Sequence, residues 1–129
     1  MSTEQNKAVV RRFIEEILTK QNAVLVDELL APNYVNHLVP GGREGFKQFL
    51  PMLSSAFPDL KIHYSVEHLV SEGDYVVVRL TYHVTNAGKE ATGSDLSEYR
   101  VVNGKIVEDW PPSGTAALMQ QVGVTLPSE

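Results

Sequence analysis

Among the 16 Asp and Glu and 4 His side chains of this sequence, Asp109 is the first candidate for acid/base chemistry. It lies in the run Ile106-Val107-Glu108-Asp109-Trp110. A carboxylate set against indole and aliphatic walls loses hydration, so its pKa rises and it becomes a better base near neutrality. Asp95 stands fourteen residues earlier, and two carboxylates brought together share a proton, which raises one of the two pKa values. His37 follows Tyr34-Val35-Asn36 and precedes Pro40-Gly41-Gly42. An imidazole there can donate to a carbonyl oxygen and stabilise a developing enolate, with Tyr34 as a weaker polar companion. Each residue also has a plainer reading: a solvated charge beside a tryptophan for Asp109, a polar strand entrance for Asp95, and a ring bonded to a loop carbonyl for His37.

Other reactive constellations are missing. The sequence has no cysteine, which excludes disulfides, thiolate catalysis and Cys-bound zinc. It contains no His-Glu-x-x-His pattern and no calcium loop, so no metal is expected. Gly41-Gly42 lacks the spacing of a P-loop or a dinucleotide turn, and Gly-x-Ser-x-Gly is absent. His63, His68 and His83 sit in strand-like runs and read as hydrogen-bonded structural residues.

The elements that must position these groups follow from periodicity. From Thr3 to Lys20, Val9, Val10, Phe13, Ile14, Ile17 and Leu18 recur at helical spacing with Arg11, Arg12, Glu15 and Glu16 on the other side; Ser2 or Thr3 can cap this helix. A short helix is expected from about Val24 to Leu30, stopped by Ala31-Pro32. Tyr34-Val35 reads as a brief extended piece. A third helix is expected from about Arg43 to Ala56, with Pro51 kinking it or removing one backbone bond. From Leu60 the period becomes two, and strands are predicted at Leu60 to Val70, Tyr75 to Thr85, Ser94 to Val102 and Lys105 to Trp110. Glu72-Gly73-Asp74 and Asn103-Gly104 are the turns, and Thr115 to Gln121 adds a terminal helical turn. Three helices before a four-stranded antiparallel meander make an α+β fold. A curved sheet covered by helices leaves a cone whose open end is a ligand pocket. Tyr34, Trp110, Phe13, Leu53, Phe57 and Tyr99 are the candidates for its walls.

Composition fits this reading. With 43% hydrophobic and 21% charged residues, residues 1–129 form one globular domain with an ordered core of about 4–122 and loose ends at Met1 to Thr3 and Leu126 to Glu129. A formal net charge of -5 with scattered basic residues repels phosphate backbones, so no nucleic acid is expected as partner. No window approaches the length of apolar sequence that a membrane helix requires and no signal-like N-terminus is visible, so no membrane association and a cytoplasmic location are expected.

The order of landmarks is itself informative. Glu15-Glu16 is followed by Leu29-Leu30-Ala31-Pro32-Asn33-Tyr34-Val35-Asn36-His37, then Gly45-Phe46, Phe57-Pro58-Asp59-Leu60 and Glu72-Gly73-Asp74-Tyr75-Val76-Val77-Val78-Arg79, and the series closes on Asn103-Gly104-Lys105-Ile106-Val107-Glu108-Asp109-Trp110. This succession resembles the SnoaL-like polyketide cyclases of the nuclear transport factor 2-like superfamily over about nine tenths of the chain. The resemblance implies a cone-shaped α+β barrel, a homodimer or higher homo-oligomer built on the outer sheet face, and chemistry without a cofactor on a small apolar carbonyl-containing or ester ligand. It implies that Asp109 is the acid/base, taking a proton next to a carbonyl and returning it to the new alkoxide. It also implies that His37 borders the pocket mouth and that Asp95 occupies the place of a polar partner, often a histidine in the family.

Hairpin register decides where Asp109 points. With a two-residue loop at Asn103-Gly104, Asp109 lies across from Glu98; with an extra bulged residue in the loop, it pairs with Ser97 and shares a face with Asp95, Tyr99 and Val107. Three functions compete on this sequence: a cyclase-type proton abstraction, a hydrolase or isomerase of a small epoxide, lactone or ketone, and a non-catalytic ligand-binding or oligomerisation module.

Overall fold

The computed structural model describes residues 2–125. Helix α1 (Thr3–Arg12) starts at Ser2, whose hydroxyl accepts the Gln5 N–H while the Gln5 side chain accepts the Ser2 N–H. This reciprocal capping satisfies two donors that a helix start leaves open, so Ser2 and Thr3 are tied down rather than loose. Met1 and residues 126–129 lie outside the described residues. The helix expected to run to Lys20 changes character at Phe13, where a π-helical segment (Phe13–Thr19) takes over and buries Phe13, Ile14 and Ile17 completely. A 3-10 turn (Ala23–Leu25) and the short helix α2 (Val26–Leu29) follow.

Strand β1 (Leu30–Asn36) leads through the glycine turn into α3 (Gly42–Ala56). Gly41 has φ 94°, a conformation that costs a side-chain-bearing residue strain. A Cβ at Gly45 would meet the Pro40 carbonyl oxygen at 2.1 Å, so glycine there lets the helix approach the turn. Helix α3 continues through Pro51 with one backbone donor fewer, because Phe46, Leu50 and Leu53 anchor its inner side in the core.

Strands β2 (Lys61–Glu72), β3 (Tyr75–Asn86), β4 (Lys89–Val102) and β5 (Lys105–Trp110) make the meander, and α4 (Thr115–Gln121) closes the chain. Among the described residues the sheet nevertheless has five strands, ordered β1-β5-β4-β3-β2, with β1 parallel to β5. Four strands in a wholly antiparallel sheet were expected. The reason for the fifth is that β5 would otherwise present unpaired backbone groups on its free side, and the Tyr34-Val35 piece extends to supply partners. Strand β4 also starts earlier than Ser94, because Ala87 and Gly88, both at positive φ, form a tight turn that pairs Asn86 with Lys89.

On β3 the buried Val76, Val78, Leu80, Tyr82 and Val84 alternate with Val77, Arg79, Thr81 and His83, the period-two signature of one packed face. Helices α1, α3 and α4 and the π-helical segment pack on the curved, unclosed sheet. Bulges in β1, β2 and β5 bend it. At Gly93 a Cβ would stand 3.4 Å from the Tyr82 ring and 3.5 Å from Leu118, so the missing side chain admits both to the core. Among the described residues no helix is long and apolar enough to cross a membrane.

Candidate functional site

The register of β5 places Asp109. Asn103 and Gly104, at φ 51° and 79°, form a two-residue turn that pairs Val102 with Lys105, as the shorter of the two expected loops requires. Two residues later the register slips, so Ile106 pairs with Val101 and Glu108 with Arg100, leaving Val107 as a bulge. Both sequence alternatives are thereby corrected: the loop is short, yet the extra residue lies within the strand, and Asp109 pairs with Tyr99 rather than with Glu98 or Ser97. One inserted residue turns every later side chain over. Asp109 consequently faces the interior and is only 3% exposed.

Around its carboxylate the hydrogen bonds run in one direction. Asn36 Oδ1 accepts the backbone N–H groups of Leu38 and Val39 at 2.8 and 2.9 Å. That sets the amide orientation and aims Nδ2 at the Tyr34 hydroxyl, 2.8 Å away, and at Asp109 Oδ2, 3.3 Å away. The Tyr34 O–H, its oxygen already accepting from Asn36, donates to Asp109 Oδ2 at 2.7 Å. The other oxygen, Asp109 Oδ1, is buried and has no hydrogen-bond partner among the described residues. Tyr34 and Asn36 reach this carboxylate because β1 lies beside β5, with Asn36 opposite Asp109, and because residues two apart on a strand share a face.

A cavity of about 90 Å³ opens beside Asp109 and Asn36, walled by Phe46, Leu53, Ile62, Leu80 and Met119 with Tyr64, Tyr99 and Thr115. It is several times the space one water needs. Burial pushes the Asp109 pKa up to about 7, against the opposing pull of the Tyr34 hydrogen bond and of His37. A carboxyl in this state gives and takes protons near neutral pH. The Tyr34 phenol is driven far above its ordinary value by burial and by the Asp109 charge, so it stays a neutral donor. No group of three or more His, Asp or Glu side chains among the described residues is placed to hold a metal ion.

The sequence profile of the SnoaL-like polyketide cyclase family matches residues 8–122. The chain belongs to that family. Among solved structures, IdmH from Streptomyces antibioticus, provisionally assigned as a polyketide cyclase, is 26% identical over 93% of this chain and 99% of its own, with a TM-score of 0.75. A protein from Bacillus cereus with the same provisional assignment is 25% identical over 98% of this chain and 87% of its own, with a TM-score of 0.77. AclR from Streptomyces galilaeus, provisionally assigned as a hydroxylase, shares the fold at 19% identity over 95% of this chain and 99% of its own, with a TM-score of 0.69. No curated protein matches the chain. Family and neighbours support a cyclase-type small-molecule enzyme. Because the fold also carries other activities, the particular reaction has to be argued from the site.

Within this SnoaL-like site the expected residues divide. Asp109, Tyr99 and Leu53 line the cavity, and Tyr34 bonds the Asp109 carboxylate without lining the cavity. His37 does neither: one residue past the inward Asn36, its ring lies outside, stacked on Trp110 at 5.0 Å and bonded through Nε2 to Glu108 Oε2 at 2.7 Å. Only its backbone N–H touches the site residue, donating to the Asp109 carbonyl at 2.9 Å. Trp110 follows Asp109 on β5 and therefore points to the opposite face. The apolar surroundings that raise the Asp109 pKa come from the cavity walls, not from the indole. Phe13 is wholly buried behind the cavity, its ring 5.8 Å from those of Phe46 and Tyr99, and Phe57 ends α3 against the core without reaching the cavity.

Asp95 is half-buried on the inward face of β4, opposite Leu80, but its carboxylate is engaged elsewhere. Oδ2 accepts the Gly114 N–H at 2.9 Å and the Ser113 hydroxyl at 3.4 Å, and Oδ1 accepts the Leu96 N–H. It ties down the turn that starts α4, whose Thr115 and Met119 wall the cavity. Asp95→Ala is expected to lower stability by about 1–2 kcal/mol through the lost hydrogen bonds; an unchanged melting temperature would contradict this anchoring role. Sequence reasoning missed Asn36 and Tyr64. Asn36 was visible as the inward neighbour of Tyr34 at i+2, had the strand been recognised as more than a brief extension.

Proposed function

We propose that this chain is a small-molecule enzyme in which Asp109 acts as general acid/base on a carbon next to a carbonyl, the first half of an intramolecular aldol cyclisation. The observation that carries this is a buried carboxylate that lines an apolar cavity, with one oxygen held by Tyr34 and Asn36 and the other without a hydrogen-bond partner among the described residues. The unpaired Oδ1 takes the proton and the C–H electron pair passes into a carbon–carbon double bond as the carbonyl oxygen becomes an enolate. The enolate carbon then attacks a second carbonyl of the same molecule, and the alkoxide so formed receives the proton back from Asp109. The steps balance without a cofactor, and the apolar walls make the unprotonated carboxylate more basic than it is in water.

A non-catalytic module would have no use for a destabilising buried carboxylate beside an open cavity. Hydrolysis of an epoxide or lactone could employ the same base, but Tyr34 and Asn36 both direct their donors at Oδ2, which leaves neither aimed to orient an attacking water. The test is hydrogen–deuterium exchange at the α carbon of small cyclic ketones such as 2-tetralone, followed by NMR in heavy water. Since the ionised form is the base, the exchange rate is expected to rise through the Asp109 pKa of about 7 and level off above it. Exchange no faster than buffer across a ketone panel, or a rate that ignores pH between about 5 and 9, would reject the proposal.

A further inference from the structure

The cavity lining also carries the hydroxyls of Tyr64, Tyr99 and Thr115, and the strand that bears Tyr64 is separated from β5 by β4 and β3. Tyr64 lies on β2, its ring stacked on Tyr82 at 5.9 Å and 25°, and its side chain lines the same cavity as Asp109. Its hydroxyl makes no hydrogen bond among the described residues, although its backbone N–H is taken by the Thr19 hydroxyl. Burial, Tyr82 and the Asp109 charge all push its pKa up, so it is a neutral phenol within the electrostatic reach of the carboxylate. Among the described residues Asp109 is the single carboxylate in the lining, and no Lys, Arg or His lines the cavity. An anionic ligand would therefore bury its charge against a like charge without a counterion.

We infer that the Tyr64 hydroxyl is the donor that holds the substrate's carbonyl oxygen in the cavity that Asp109 lines, and that the site accordingly takes small uncharged ketones and rejects carboxylates and phosphates. The inference rests on the acid/base role proposed for Asp109. When Asp109 Oδ1 removes the α proton, the C–H pair forms the double bond and the carbonyl π pair moves to oxygen, where the Tyr64 O–H meets the growing negative charge. A donor aimed at the position where charge develops lowers the barrier more than it tightens substrate binding.

A phenolate is a stable analogue of the enolate, so 4-nitrophenol is the probe, titrated by its absorbance into the Asp109→Asn protein, in which the repelling charge is gone. Binding is expected, and adding Tyr64→Phe is expected to weaken it about tenfold or more, the loss of one hydrogen bond to a charged oxygen. Benzoate, equally flat but a carboxylate, is expected to bind the wild-type protein at least about tenfold more weakly than neutral 2-tetralone. Phenylalanine keeps the ring stacked on Tyr82, and an unchanged melting temperature separates a lost donor from a lost fold. Phenolate affinity indifferent to Tyr64→Phe, no phenolate binding to Asp109→Asn, or benzoate bound as tightly as the ketone would overturn the inference. Ketone exchange that depends on Asp109 together with phenolate binding indifferent to Tyr64 would remove Tyr64 and leave the role of Asp109. Tyr64-dependent phenolate binding without any exchange would do the reverse.

Discussion

Asp109→Asn is expected to reduce α-proton exchange by about 10²- to 10⁴-fold, the range that a positioned general base contributes. Asparagine is nearly isosteric and retains an oxygen that can accept the Tyr34 O–H, so the cavity and its hydrogen-bonded wall persist while the atom that takes the proton is gone. The loss should appear in the rate of exchange far more than in ketone affinity, because the bond to the moving proton exists in the transition state and not in the bound ketone. Comparing single-turnover exchange with ketone affinity measures both. A variant retaining activity within about threefold of wild type would take Asp109 out of the chemistry.

The same substitution is expected to change how stability depends on pH. The Asp109 carboxyl is raised from 3.8 to about 7 in the folded protein, so between those values the folded chain holds a proton that the unfolded chain has released. The stabilisation is complete below the unfolded value and is lost as pH rises through about 7. From about pH 4 to pH 7 wild type should lose up to about 4 kcal/mol from this one group, at about 1.4 kcal/mol per unit, and Asp109→Asn should not. Any constant offset between the curves reports the exchange of an unpaired oxygen for an amide, whereas the divergence reports ionisation. Denaturant melts at several pH values measure it, and parallel curves would mean that Asp109 is not held in its neutral form by burial. A group that weakens the folded state at neutral pH and is unpaired on one side is the trade-off a reactive residue makes between stability and activity.

The legible part of the fold was the part written in local periodicity. Val9, Val10, Phe13 and Ile14 show the first helix face, and the alternation along β3 shows the sheet face. Asn103-Gly104 declared its turn through residues that accept positive φ. The fifth strand was illegible because β1 has only a short apolar run and exists by pairing with β5, a partner some seventy residues away. The π-helical segment was hidden for a related reason: its apolar spacing reads as an ordinary helix until the core decides how the residues are buried.

For the site, the sequence alone determined which groups were available: the adjacent carboxylates Glu108 and Asp109 in the last strand, a tyrosine ahead of Pro40-Gly41-Gly42, and no cysteine or metal motif to compete with them. It did not determine which way they face. His37 and Asn36 are adjacent, and strand alternation sends one out to Trp110 and the other in to Asp109. The bulge at Val107 turns Asp109 inward, and the parallel pairing of β1 delivers Tyr34 and Asn36 to it. These are decisions of tertiary structure, because a strand's orientation is set by what its two faces can bury and its backbone can pair with, and both partners are remote in sequence. The raised pKa belongs to the same category: the residue type supplies the carboxyl, but only enclosure by the other elements removes the water that would keep it acidic.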